Sequence, residues 1–221
     1  MELSLVNIHT HNNLTNTKNI EIINLELEAN IPHEGLYSIG IHPWSLDDAS
    51  ASPETMLSLL EKQASHENVV AIGEAGLDKL HKNSLERQMK LFEAQILLSE
   101  KLDKPMILHA VKSNAELLHL RKKHKAKQTW IFHGFNGNEQ VARQLTENGI
   151  LLSVGESIFF PESKIHKALI NISIDSLFFE TDTSARPIDE IYEEASVIME
   201  LPMDALQERI FANFARTILK Q

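Results

Sequence analysis

The stretch KPMILHAVKSNAELLHLRKKHKAKQTWIFHG (104–134) decides the fold. It opens and closes on short apolar runs, KPMILHA (104–110) and QTWIFHG (128–134), and each run reaches a histidine, His109 or His133, at its end. A helical pattern beginning near Asn114 lies between them. It ends in Arg121-Lys122-Lys123-His124-Lys125, read as the exposed C-terminal end of the helix, where cations suit the dipole. The same plan recurs in LSLVNIHTH (3–11), LYSIGIHP (36–43), NVVAIGEAG (68–76), GILLSVG (149–155) and DSLFFETD (175–182). Apolar runs without polar alternation suit strands buried on both faces, as in a parallel sheet.

Helical patterns separate these runs. Ser52-Pro53-Glu54 reads as an N-cap, a proline at the first helical position and an acid in the first turn. Leu85, Met89, Phe92 and Ile96 line one face of the next helix. Asn138 opens another that stops at Asn148-Gly149, Asp189 to Glu200 forms a further one, and amphipathic sequence runs from Asp204 to Lys220. Alternating strand and helix leaves a doubly wound sheet or a barrel. A barrel gathers all its C-terminal strand ends around one mouth, which gives the polar strand ends a common purpose. The reading is therefore an α/β protein with a TIM-like (β/α)8 barrel, residues 1–221 forming a single domain. Only 24 residues, Asn12 to Gly35, separate His11 from the next clear strand, and Ile20–Glu26 is the candidate for the missing eighth. The first or second βα unit is expected to be abbreviated.

Composition narrows the function. The formal charge of −10 argues against an extended basic groove for nucleic acid and against adhesion to anionic membranes. With no cysteine, disulfides, iron–sulfur clusters and thiol nucleophiles are excluded. No apolar segment is long enough to span a membrane, and the N-terminus lacks the features of a signal peptide, so a cytoplasmic location is expected. No fixed-period repeat or low-complexity segment is present.

The strand ends carry the chemistry. His9 and His11 sit two apart on one strand and face the same way. Glu74, His109, His133 and Asp182 end four further runs. Six ionisable groups in one apolar mouth are costly without partners, whereas imidazole and carboxylate together are ligands of divalent metals. Six exceed the three that one catalytic zinc needs. Two ions sharing a carboxylate fit better, and Glu74 has the type and position to be the bridge. Imidazole with carboxylate suits Zn, Mn, Fe or Ni.

With these residues in view, the chain resembles the TatD-like metal-dependent hydrolases and deoxyribonucleases of the amidohydrolase superfamily. The matching blocks are IHTH (8–11), GIHPW (40–44), AIGEAGLD (71–78), PMILHA (105–110), HGFNG (133–137) and ETD (180–182), with ERQMKLFEAQILLSEKLDKP (86–105) and Asn213 in support. The resemblance implies that His9, His11, Glu74 and Asp182 hold one metal, and that Glu74, His109 and His133 hold the second. It admits Mg as well as the ions named above. Three departures bear on substrate placement. Asn7 stands where the family usually has an acid, Val111 and Lys112 stand where an arginine is common, and Lys79 replaces an aromatic residue.

The expected function is a dinuclear metal-dependent hydrolase of phosphodiesters in single-stranded DNA or short oligonucleotides. Asp182 acts as general base and Glu74 completes the catalytic pair. His42 and Lys112 are the candidate substrate-binding residues. The alternatives are a hydrolase of the same superfamily acting on a carboxylic ester, lactone, amide or small phosphoester, and a non-catalytic metal-binding scaffold. A monomer is expected. Trp44 reads as packing rather than as a surface on which a base stacks, Asp78 as a loop or cap residue and Glu180 as a support for the ligands. Lys79, Lys82 and Arg186 are read as mostly solvated, and His33, His66, His81, His119, His124 and His166 as surface.

Overall fold

The computed structural model describes residues 4–12, 18–47, 52–82 and 84–220. The strands are β1 (Val6–Thr10), β2 (Ile20–Leu25), β3 (Leu36–Ile39), β4 (Val69–Asp78), β5 (Met106–Val111), β6 (Trp130–Phe132), β7 (Ile150–Val154) and β8 (Leu177–Phe179). They form one sheet in the order β1 to β8. The fold is the (β/α)8 barrel expected from the strand ends. The helices that follow are α1 (Pro53–Ala64), α2 (Leu85–Leu102), α3 (Asn114–His124), α4 (Glu139–Glu147), α5 (Lys164–Ala168), α6 (Ile188–Met199) and α7 (Met203–Phe214).

Local signals place the helix ends. The Ser52 hydroxyl accepts from the Thr55 N–H at 3.2 Å, and the Asn138 side chain accepts from Val141 at 3.0 Å. Each satisfies an N–H that the helix itself leaves unpaired. The α2 helix ends at Asp103, in left-handed conformation at φ 55°. The eighth strand is the Ile20 segment, as expected. No helix occurs in residues 26–35, between β2 and β3, so the second βα unit is abbreviated, as the short spacing demanded. The described residues between β1 and β2 contain no helix either.

The chain divides into two compact units, residues 24–131 and residues 1–23 with 132–221. In the unit of residues 24–131, parallel β3, β4 and β5 bury Tyr37, Ile39, Ala71, Ile72, Ile107 and Leu108 against Leu60 of α1 and Phe92 and Ile96 of α2. The helix-free 26–35 segment is tied down by side chains. The Gln63 amide donates to the carbonyls of Leu27 (3.3 Å) and Ala29 (2.9 Å), and Asn68 donates to that of Pro32 at 3.0 Å. Arg121 is not the exposed cation expected of its basic run. Its guanidinium lies 5.1 Å from the centre of the buried Trp130 ring and donates to Gln128 O at 3.1 Å.

In the other unit, β7 and β8 pair in parallel, and the segment after β8 pairs with β1 through a parallel bridge between Thr10 and Asp182. The core here is Val6, Ile8, Leu152, Val154, Phe178 and Phe179 against Ile191 and Tyr192 of α6 and Ile210 of α7. The buried Tyr192 hydroxyl donates to Val6 O at 2.9 Å and accepts from Val6 N at 3.1 Å, which ties α6 to β1. Burial pushes its ionisation far above the ordinary tyrosine value. Asn213 of α7 donates to the carbonyls of Ile174 (2.8 Å) and Leu177 (2.9 Å) at the start of β8.

Candidate metal centre

In the unit of residues 1–23 and 132–221, His9 is fully buried on β1, and His11 follows that strand. Asp182 is aimed at both by backbone pairing. Its N–H donates to His9 O at 3.1 Å, and His11 N donates to its carbonyl at 3.0 Å. Its φ of 49° is left-handed, a region that aspartate enters more readily than most residues. The Asp182 carboxylate then lies 3.6 Å from the Nε2 atoms of both His9 and His11. His133 joins them from the end of β6, its ring centre 4.5 Å from that of His9. Ligand atoms of His9, His133 and Asp182 all lie within 4.8 Å of one another.

Glu180 supports this cluster from within the protein. Its carboxylate accepts from Gly134 N at 2.6 Å and lies 3.4 Å from His133 Nδ1. Gly134 turns at φ 58°, a conformation glycine adopts without strain. Burial opposes ionisation of Glu180, but the hydrogen bond and charge of His133, with the charge of His9, outweigh it and hold the carboxyl below its usual range. Asn7 stands beside the cluster where an acid was expected. Its side chain accepts from Thr181 N at 3.0 Å and donates to Thr181 Oγ1 at 2.9 Å, so it braces the segment between Glu180 and Asp182.

In the unit of residues 24–131, His109 Nδ1 lies 2.7 Å from Glu74 Oε1. His42 Nε2 approaches the same oxygen at 3.4 Å, and His42, Glu74 and His109 form a second set of ligand atoms within 4.8 Å of one another. The Trp44 backbone N–H donates to His42 Nδ1 at 3.2 Å. A neutral imidazole has one donor and one acceptor nitrogen, so the His42 proton sits on Nε2. In that form His42 is an N–H donor directed at Glu74, while His42, Glu74 and His109 remain the candidate ligand set of this unit.

Asp78, at the end of β4, does more than cap a loop. It accepts from Trp44 Nε1 at 2.9 Å and from Leu80 N at 2.8 Å, and lies 3.6 Å from His109 Nε2. Burial raises its tendency to hold a proton, but the Trp44 bond, the Leu80 bond and His109 prevail, and its carboxyl sits below the ordinary value. Two residues that the sequence reading missed hold this strand end. Gln88 is buried on α2, accepts from Asp78 N at 2.7 Å and donates to Asp78 O at 2.9 Å. Gln95, seven residues on, makes the same reciprocal pair with Ile41, at 2.8 and 3.0 Å. One face of α2 therefore clamps the backbones that carry Asp78 and His42. The only sequence signal was two polar residues on an otherwise apolar face.

Other expectations hold only in part. Trp44 packs against His42 and His81 but keeps 51% of its surface exposed. His81 is not a free surface residue, since it stacks on Trp44 with ring centres 5.4 Å apart and planes 18° apart. His124 is largely covered and lies 3.3 Å from Glu93. Lys79 and Lys82 are exposed as expected, and they pair with Glu116 (2.9 Å) and Asp47 (3.0 Å). Arg186 pairs with Glu190 at 2.7 Å and lies over the Phe159 ring. Lys112 is exposed, just beyond β5.

The donor sets fit divalent metal ions. Each unit offers imidazole nitrogen and carboxylate oxygen, the ligands of Zn, Mn, Fe or Ni, with no soft sulfur donor. A parallel β/α barrel with such residues at its C-terminal strand ends is a metal-ligating scaffold. The chain belongs to the TatD related DNase family, whose model matches residues 5–218.

A relative named as the uncharacterized metal-dependent hydrolase YjjV of Escherichia coli (strain K12) is 33% identical over 161 residues, which cover 71% of this chain and 61% of the relative. Another, the uncharacterized metal-dependent hydrolase YabD of Bacillus subtilis (strain 168), is 33% identical over 148 residues, 66% of this chain and 57% of the relative. These alignments thus span about three fifths of the relatives' length. The crystal structure of YjjV, a TatD homolog, superposes with a TM-score of 0.84 at 22% identity, over 97% of this chain and 98% of that one. A TatD family hydrolase from Entamoeba histolytica gives a TM-score of 0.79 at 18% identity, over the whole of both chains.

Proposed function

We propose that the protein is a metal-dependent phosphodiesterase that cleaves single-stranded DNA or short oligonucleotides, with residues 1–221 acting as one hydrolase domain. His9, His11, His133, Asp182, Glu74 and His109 are the residues that hold the ions. On the family resemblance two ions are held, and Glu74 is a ligand of both. Divalent ions held there supply Lewis acidity and acidify water. The observation that carries the reading is the contrast between two neighbouring carboxylates. The Glu180 side chain is 1% exposed, whereas that of Asp182 is 39% exposed within 3.6 Å of two histidines.

Asp182 is therefore the carboxylate open to water, and it takes the proton of the attacking water as general base. Glu180 keeps His133 in place. His42 offers its Nε2 proton to a substrate oxygen, and Lys112 supplies positive charge for a phosphate. The net charge of −10 limits phosphate contacts beyond the centre, which favours short or single strands over a long duplex track. The same acidity favours, as a second reading, a small phosphoester, carboxylic ester, lactone or amide as substrate.

The test combines elemental analysis of the purified protein with a panel of single- and double-stranded oligonucleotides, small phosphoesters, esters and lactones, with Mn or Zn and after chelation. Metal-dependent cleavage of single-stranded oligonucleotides supports the proposal. Turnover confined to small esters or lactones moves the assignment to the second reading. Bound metal without turnover on any substrate makes the protein a scaffold.

A further inference from the structure

Trp44 combines exposure with a fixed orientation. It lies two residues after His42, and its ring centre is 4.8 Å from that of His42 and 5.8 Å from that of His109. This ring is held at two places. Its N–H donates to Asp78 at 2.9 Å, and one face carries the nearly parallel His81 ring. His81 is held in turn, with Nε2 3.4 Å from the Asp47 carboxylate. Asp78 is itself fixed through its backbone by Gln88. With these contacts made, just over half of the residue's surface remains exposed.

We propose that Trp44 is a stacking platform for a planar aromatic group of the substrate, a nucleobase, placed next to the His42–Glu74–His109 cluster. The inference rests on the reading of that cluster as part of the hydrolytic site, and adds the side-chain surface that selects the substrate class. Three arguments support it. A large apolar ring left exposed at a polar site gains most from a flat partner, since every base has a π face and stacking needs no sequence readout. Because the indole N–H is already bound to Asp78, the ring is oriented before any ligand arrives, and little side-chain freedom is lost on binding. The cations close by, Lys79 and Lys82, are paired with Glu116 and Asp47, so this corner is built for a neutral ring rather than for a second phosphate.

The chain contains two tryptophans, and Trp130 is fully buried, so exposed indole fluorescence reports on Trp44. The protein is titrated with deoxyadenosine monophosphate and, separately, with deoxyribose phosphate, following tryptophan emission. The nucleotide is expected to quench emission in the wild type and in Trp130→Phe, and the base-free sugar phosphate is not. Trp44→Phe keeps the ring and should bind the nucleotide within about three-fold of the wild type, measured by calorimetry. Trp44→Ala should weaken it by about ten-fold or more, the loss of one base–aromatic stack. With thymidine-containing dinucleotides, Trp44→Ala should raise KM rather than lower kcat.

Equal nucleotide affinity in Trp44→Ala and the wild type overturns the proposal. So does a wild type that binds the base-free sugar phosphate as tightly as the nucleotide. Base-dependent binding that Trp44→Ala abolishes, in a protein that cleaves no phosphodiester with Mn or Zn, upholds the platform and instead removes the hydrolase reading on which it was placed.

Discussion

Replacing Gln88 by methionine tests whether α2 holds the end of β4 through hydrogen bonds. Methionine keeps the length and fills most of the space, but has no donor or strong acceptor. Two backbone groups of Asp78 lose their side-chain partner, the N–H at 2.7 Å and the carbonyl at 2.9 Å. Leaving a buried polar group unsatisfied costs about 1–3 kcal/mol, so two give roughly 2–6 kcal/mol. Apolar transfer of the new side chain offsets part of this, and the expected loss is about 3 kcal/mol. Typical domain stability is about 5–15 kcal/mol, so the variant should still fold. For a chain of this size, each kcal/mol lowers Tm by roughly 2–4 °C, so the expected drop is roughly 6–12 °C. Urea unfolding followed by circular dichroism gives the free energy, and Arg87→Ala, at an exposed neighbour on α2, should stay within about 0.5 kcal/mol of the wild type. A loss under about 1 kcal/mol in Gln88→Met would show that water or neighbouring groups satisfy Asp78, and that the clamp is not what holds the strand end.

Gly76→Ala should be at least as damaging. Its φ is 148°, and an added Cβ would stand 2.0 Å from the His109 carbonyl oxygen, so strain and overpacking together cost about 2–6 kcal/mol, read by the same unfolding assay. Asp182→Asn should keep the backbone, because asparagine also tolerates left-handed φ, while turnover of the metal-loaded enzyme falls on the order of 10²-fold; near-normal rates would remove Asp182 as the base. By calorimetry, His133→Ala should lose one ion and Glu74→Ala should weaken both; a wild type that binds a single ion per chain at saturation would refute the dinuclear centre. Oligonucleotide binding measured by anisotropy should show a slope of log K against log salt of about −1.4 to −2.1, for roughly two or three phosphates neutralised, and a slope steeper than about −4 would reveal a basic track.

The strand ends were legible because a parallel barrel writes its chemistry at regular places. Apolar runs buried on both faces are short, so the few polar residues that interrupt or follow them are conspicuous. His9, His11, Glu74, His109, His133 and Asp182 all stand out for that reason, as do the caps at Ser52 and Asn138, whose hydrogen bonds reach only three residues. The short interval from Asn12 to Gly35 likewise foretold a missing helix, since chain length limits what fits between two strands.

Tertiary structure decided the rest, because those contacts join residues with no local relation. Gln95 and Ile41 are 54 positions apart, and Asn7 and Thr181 are 174 apart, so neither pair leaves a periodic mark. The His42 tautomer depends on one backbone N–H of the Trp44 turn. Whether Trp44 is buried or open depends on what packs around it, which residue type alone does not fix. Arg121 went from a charged run to the face of a buried indole, because a long guanidinium side chain covers apolar surface as readily as it meets water. Residue type and spacing picked out the polar groups carried by the strand ends. Packing alone settled which of them donate, which brace the others and which surface stays open to a ligand.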